Sequence, residues 1–157
     1  MKLLLSLLLL QSFIFTNDSI FFDQKRAFSY LEAQCSFGPR VPGSKAHIQG
    51  KEHIVNNIQL SADSVIEQSF MHSFVYTGEL IKLTNIVAQF NPEMDNRIWI
   101  AAHWDSRPWA DLDKDISKRN IPILGANDGA SGVAVLLEIA NQLKVKPPKI
   151  GVDLIFI

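Results

Sequence analysis

Hydrophobic positions along the 157-residue chain fall into runs with distinct spacings, and each run predicts an element. Residues 3–10 form a leucine-rich apolar run, interrupted only by Ser6, behind Met1 and Lys2. That charged start and short core have the form of a secretory signal peptide, and the run is short for a membrane span. The expectation is a signal over residues 1–16, with an uncertain cleavage point, and a domain over 17–157. Next, Asn17, Asp18 or Ser19 can cap a helix running to about Gln34, with Phe28, Leu31 and Cys35 on one stripe. Gly38-Pro39 ends it, because proline cannot continue the hydrogen-bonded ladder. Ser44 then caps a second helix with Ile54, Val55 and Ile58 inward and Gly50 in its middle.

Two strand candidates follow, about 64–76 and 80–90, joined at Thr77-Gly78 as a hairpin. Residues 98–102 are apolar on both faces, which predicts a central strand covered by helices on both sides. The loop over 104–127 is longer than ordinary connections, a property of functional or disordered segments. Residues 129–143 make the strongest helix pattern, with Lys144 and Lys146 at its carboxyl end and Pro147-Pro148 as its stop. Residues 152–157 read as a further strand, interrupted only by Asp153. Strand, helix and strand predict one right-handed βαβ unit with parallel strands. The chain is thus expected to be α/β, with a mixed, partly parallel central sheet flanked by helices. Ending inside a central strand makes that sheet incomplete at the C-terminus, as in the amino-terminal part of a larger domain.

Composition adds little to this and removes some alternatives. The chain is 47% hydrophobic and 20% charged with a formal net charge of -1, which argues against nucleic acid as a partner. Cys35 is the single cysteine, so no disulfide can form within the chain, and it reads as a small buried hydrophobe. Asn17-Asp18-Ser19 matches a glycosylation sequon.

The candidate chemistry lies at the end of the 98–102 strand. His103 and Asp105 are two apart, so both project to one side. Asp128 opens the following helix. In open α/β sheets the carboxyl edge of the strands is where ligands bind. Imidazole and carboxylate groups suit zinc, with Asp105 either a ligand or a group orienting His103. The alternative is structural: His103 as a hydrogen-bonded rim residue and Asp128 as a helix cap. Asp111, Asp113 and Asp115 have the spacing of the first three EF-hand ligands. Ile116 stands where that loop needs glycine and Pro122 where it needs glutamate, which favours a solvated loop. Of the tryptophans, Trp99 is expected in the core, with Trp104 and Trp109 flanking the site.

Four stretches occur in a telling order: Phe37-Gly38-Pro39-Arg40-Val41-Pro42-Gly43-Ser44, Leu83-Thr84-Asn85-Ile86-Val87, His103-Trp104-Asp105-Ser106-Arg107-Pro108 and Gly125-Ala126-Asn127-Asp128-Gly129-Ala130-Ser131-Gly132. Together they closely resemble the bacterial glutaminyl cyclases of the animal type, relatives of the zinc aminopeptidases. The resemblance implies a zinc-dependent glutaminyl-peptide cyclotransferase, which closes an N-terminal glutamine of a peptide or protein to pyroglutamate and releases ammonia. It implies Zn2+ as cofactor and an exported, periplasmic or secreted location. By motif, Asp128 matches a zinc ligand, and Asp105 the acid that orients and tunes the site. His103 matches a ligand only in the two-zinc aminopeptidases. The general acid/base and further ligands are expected beyond Ile157, so the chain alone is expected to be inactive. The runners-up are a zinc aminopeptidase of the same fold and a non-catalytic binding domain on that scaffold.

Overall fold

The structure is a computed structural model that describes residues 21–157. The expected signal over 1–16, the caps at Asn17 to Ser19 and the sequon lie outside the described residues. The first helix, α1 (Gln24–Ser36), starts at Asp23, whose carboxylate accepts from the Lys25 and Arg26 N–H groups. Residues 21–23 are not helical, which corrects a start at 17–19. The inner stripe is also corrected. Phe28 is exposed, while Ala27 and Gln34 are buried and Tyr30 packs at the core edge. Gln34 takes an inner position because its amide donates to Tyr30 O and, across the interface, to Ala130 O at 3.1 Å.

Helix α2 (Lys45–Ile58) is capped as expected by Ser44, whose hydroxyl accepts from His47 N at 3.1 Å. Ile54 and Ile58 are buried, and Val55 packs against them. Gly50 has a packing reason. A Cβ there would stand 3.1 Å from Arg40 Cδ and 3.7 Å from the Trp104 ring.

Among the described residues the sheet has four strands in the order β1-β2-β4-β3: β1 (Ser64–Ser73), β2 (Leu80–Phe90), β3 (Arg97–Ala102) and β4 (Gly151–Phe156). β1 and β2 form the expected antiparallel hairpin, in register from Ser64 opposite Gln89 to Ser73 opposite Leu80. β2 pairs antiparallel with β4, and β3 pairs parallel with β4, so the sheet is mixed. The βαβ unit is therefore present, with α3 (Ser131–Val145) as its helix.

Among the described residues α2 and α3 pack on one face of the sheet, and α1 packs against α3. Ile54, Ile58, Ile86, Ala88, Val133, Leu137, Val152, Leu154 and Phe156 form one buried cluster there. Each buried Ile, Val, Leu or Phe there contributes about 1.5–3 kcal/mol by leaving water, and Ala88 less. The expectation for residues 98–102 is corrected. In the sheet of the described residues β2 and β4 are the interior strands and β3 lies at one edge, with Trp99 75% exposed on the face opposite the helices. An apolar run on both faces is no sign of which strand is central, since strand order rests on partners far away in sequence. β4 tolerates Asp153 in its middle because Arg97 donates to it from the neighbouring strand. That guanidinium holds the Asp153 carboxyl below its ordinary pKa.

Candidate metal centre

β3 and β4 both end at the same edge, and the ladder runs one step further. Ile157 N donates to Ala102 O, and Trp104 N donates to Ile157 O, both at 3.0 Å. This extension holds residues 103–105 in strand-like alternation. His103 and Asp105 are half-exposed on the outer side, while Trp104 turns inward and is buried. Trp104 therefore flanks the site from beneath rather than from its mouth, with its ring stacked on His47 at a centroid distance of 4.0 Å. Burial pushes the His47 ring down to a pKa of about 4, so it is neutral at physiological pH.

The second half of the site is the turn Ala126–Ala130, which precedes α3. The helix does not begin at Gly129 as the apolar pattern suggests. Asp128 has φ -92° and ψ 96°, Gly129 has φ +101°, and regular helix starts at Ser131. Gly129 is needed for its positive φ and for its closeness: a Cβ there would lie 2.7 Å from Asp105 O and 3.2 Å from His103 Cε1. The turn carries Asp128 up to the strand end, and its carboxylate makes no cap hydrogen bond to the helix.

The structure brings together all three candidate residues. His103 Nδ1 lies 2.9 Å from Asp105 Oδ1, and His103 Nε2 lies 3.0 Å from Asp128 Oδ1. A neutral imidazole carries one N–H, so it can donate to only one of these two carboxylates. With that proton shared with Asp105, the Nε2 lone pair faces an anionic oxygen, a contact that either a cation or a ring proton on Nε2 would satisfy. Arg107 supplies positive charge nearby. Its Nη2 stands 3.9 Å from Asp128 Oδ2, and its Nη1 donates to Asp111 at 2.9 Å. One imidazole nitrogen and one free carboxylate fit zinc as donors but fall short of the three protein ligands a catalytic zinc takes. Among the described residues no group of three His, Cys, Asp or Glu side chains is disposed to hold a metal ion.

The other acidic stretch is engaged in its own turns. Asp113 accepts from Asp115 N, Asp115 accepts from the Ser117 N–H and hydroxyl, and Asp111 takes Arg107. Trp109 packs edge-on against Tyr76 of the hairpin at 4.7 Å. A cavity of about 220 Å³ adjoins the site, bounded by His103, Asp105, Trp104, Phe70 and Leu83.

Sequence reasoning passes over Arg40. It is fully buried, and its guanidinium donates to Trp104 O, Gln34 O, Leu124 O and Gly125 O. Burial pushes its pKa down, yet an arginine remains charged at neutral pH. Its signal in the sequence is an arginine enclosed between Gly38-Pro39 and Pro42-Gly43, too short a stretch to place its side chain.

With strand order and site geometry established, comparison defines the class. Residues 85–157 match Peptidase family M28. In fold the chain is similar to a Tannerella forsythia glutaminyl cyclase, with 43% identity and a TM-score of 0.82, covering 86% of this chain and 46% of that one. It is equally similar to a Zn-dependent exopeptidase from Parabacteroides distasonis, with 41% identity, a TM-score of 0.82 and the same coverage. Among curated proteins it is 31% identical over 106 residues to the glutaminyl-peptide cyclotransferase of Bos taurus, covering 66% of this chain and 27% of that protein. The chain has the glutaminyl cyclase and zinc aminopeptidase-like fold, and it is a relative of the bacterial glutaminyl cyclases and of the animal glutaminyl-peptide cyclotransferases. It spans about half the length of these solved structures and about a quarter of the bovine protein.

Proposed function

We propose that this chain forms the amino-terminal part of an exported, zinc-dependent glutaminyl-peptide cyclotransferase. The observation that carries the reading is Asp128. Its carboxylate sits at the carboxyl edge of the parallel strands, free of any capping role, and faces His103 Nε2 at 3.0 Å. On this reading Asp128 holds zinc, and Asp105 fixes the His103 ring beside it. When bound, zinc supplies Lewis acidity at the side-chain amide carbonyl of an N-terminal glutamine. Gly129 lets the metal-facing turn approach the strand end closely, and Arg107 tempers the negative charge on Asp128. The proton shuttle between attacking amine and leaving ammonia is assigned to an acid outside this chain. The 157-residue chain alone is then without turnover, since it offers at most two of three protein ligands.

The likeness to a Zn-dependent exopeptidase supports a second reading, a zinc aminopeptidase in which His103 also ligates metal. The full-length protein separates the two. Ammonia release from glutaminyl peptides with one zinc per chain is the expected result. Release of the first residue with two zincs favours the peptidase, and neither activity in metal-replete protein rejects both enzyme readings in favour of a binding domain.

A further inference from the structure

The two halves of the candidate centre come from segments more than twenty residues apart. Among the described residues, no backbone–backbone hydrogen bond joins residues 103–106 to residues 124–130. Beside them Ile123 N donates to Arg107 O at 3.2 Å, and within them the hydrogen-bonded link runs through one side chain. Arg40 Nε donates to Trp104 O at 3.0 Å, Nη2 donates to Gly125 O at 2.9 Å, and Nη1 donates to Leu124 O at 3.2 Å. Its own carbonyl accepts from Ser106 N at 3.1 Å. Arg40 thus grips the His103–Asp105 segment at two points and the base of the Asp128 turn at two more.

Three features make this grip rigid. The guanidinium is planar, with donors in a fixed fork, so the two segments cannot slide apart without breaking several bonds together. Among the described residues no carboxylate pairs with it within ion-pair distance, so its charge is satisfied by carbonyl oxygens at defined positions. Gly50 leaves the space its stem occupies: a Cβ there would stand 3.1 Å from Arg40 Cδ, so the stem would have to give by a few tenths of an ångström.

We propose that Arg40 is a positioning residue. It sets the spacing between the His103 strand end and the Asp128 turn, and through that spacing it sets the metal affinity of the Asp128 site. The metal part of this inference rests on the zinc reading above; the spacing part does not.

The test uses the full-length protein and three readouts: zinc affinity by chelator competition, thermal stability, and backbone amide shifts at Trp104, Ser106, Gly125 and Asp128. Gly50→Ala is the decisive variant. It presses a methyl group against Arg40 Cδ while placing a better helix former in α2, and thermal stability measured alongside separates a loss of affinity from unfolding. The expected result is zinc binding weaker by roughly 3–10-fold with stability unchanged or raised. Arg40→Lys keeps the charge and loses the fork, and it weakens binding by about 10–100-fold, as removal of groups supporting a ligand does. Glu138→Gln, remote from the centre, lowers stability and leaves affinity within about twofold. Affinity within twofold of wild type in Gly50→Ala overturns the proposal, and Gly50→Ala decides alone where Arg40→Lys does not fold. Absence of zinc binding by the wild-type protein rejects the zinc reading instead. The amide shifts then decide: concerted movement at both segments in Gly50→Ala upholds the spacing role, and unchanged shifts reject it.

Discussion

Asp128 and Glu138 lie ten residues apart, one in the turn that leads into α3 and the other on the helix itself, and their surroundings differ in nearly every respect. Glu138 is fully buried and accepts from Asp23 N, Arg26 Nε, Arg26 Nη2 and Gln142 Nε2. Burial alone would raise its pKa, but those donors together outweigh it and hold the carboxyl below its ordinary value. Asp128 is more than half exposed, and its partners are His103 and, at 3.9 Å, Arg107. A carboxylate enclosed by donors has its lone pairs committed and acts as a rivet between α1 and α3. A carboxylate with uncommitted lone pairs at a strand edge is available to an incoming cation. The same functional group thus stabilises the fold in one place and leaves chemistry open in the other.

The contrast can be broken most severely at Asp128. In the full-length protein Asp128→Asn is expected to weaken zinc binding and turnover by at least about 100-fold, more than loss of a supporting residue costs. Urea titration should show stability nearly unchanged. A large loss of stability with zinc binding intact would make Asp128 structural. Glu138→Gln should show the converse. Solvent around the half-exposed Arg26 limits the loss to about 2 kcal/mol in urea titration. Zinc stoichiometry should stay at the wild-type value. A change in stoichiometry would mean that the two carboxylates are coupled.

A smaller effect is expected at Asp105. Asp105→Asn keeps a hydrogen-bonding group beside His103 Nδ1 but removes the charge, and metal affinity should fall about 10-fold. Equal affinity in the variant would leave Asp105 with no part in tuning the site. The smallest effect concerns pH. Because the folded Glu138 carboxyl has a depressed pKa, its contribution is present above the unfolded value of about 4.3 and is lost as pH falls through the folded one. The stability gap between wild type and Glu138→Gln should therefore be constant above about pH 5 and narrow below about pH 4. A gap that widens toward low pH would contradict the assigned direction.

Much of the site was legible because it depends on local rules. Alternation along a strand places His103 and Asp105 on one side, and the glycines around Asp128 announce a turn at a helix start. Helix α1 was less legible. Its inner stripe was expected from the largest apolar residues, whereas Ala27 and Gln34 take it because Ala130 O needs a donor there. Trp99 misled for a related reason. Its apolar character promised burial, yet strand order sets it on the face away from the helices.

From the sequence alone came the α/β class, the hairpin, the Ser44 cap and the pairing of His103 with Asp105, since each follows from periodicity, turn residues or contacts a few residues apart. Only the tertiary structure placed β4 between β2 and β3, brought the Asp128 carboxylate to 3.0 Å from His103 Nε2, and carried the Arg40 side chain to carbonyls more than sixty and eighty residues away. Those outcomes depend on which distant backbone groups need partners once the core closes, and no local pattern of residues encodes that.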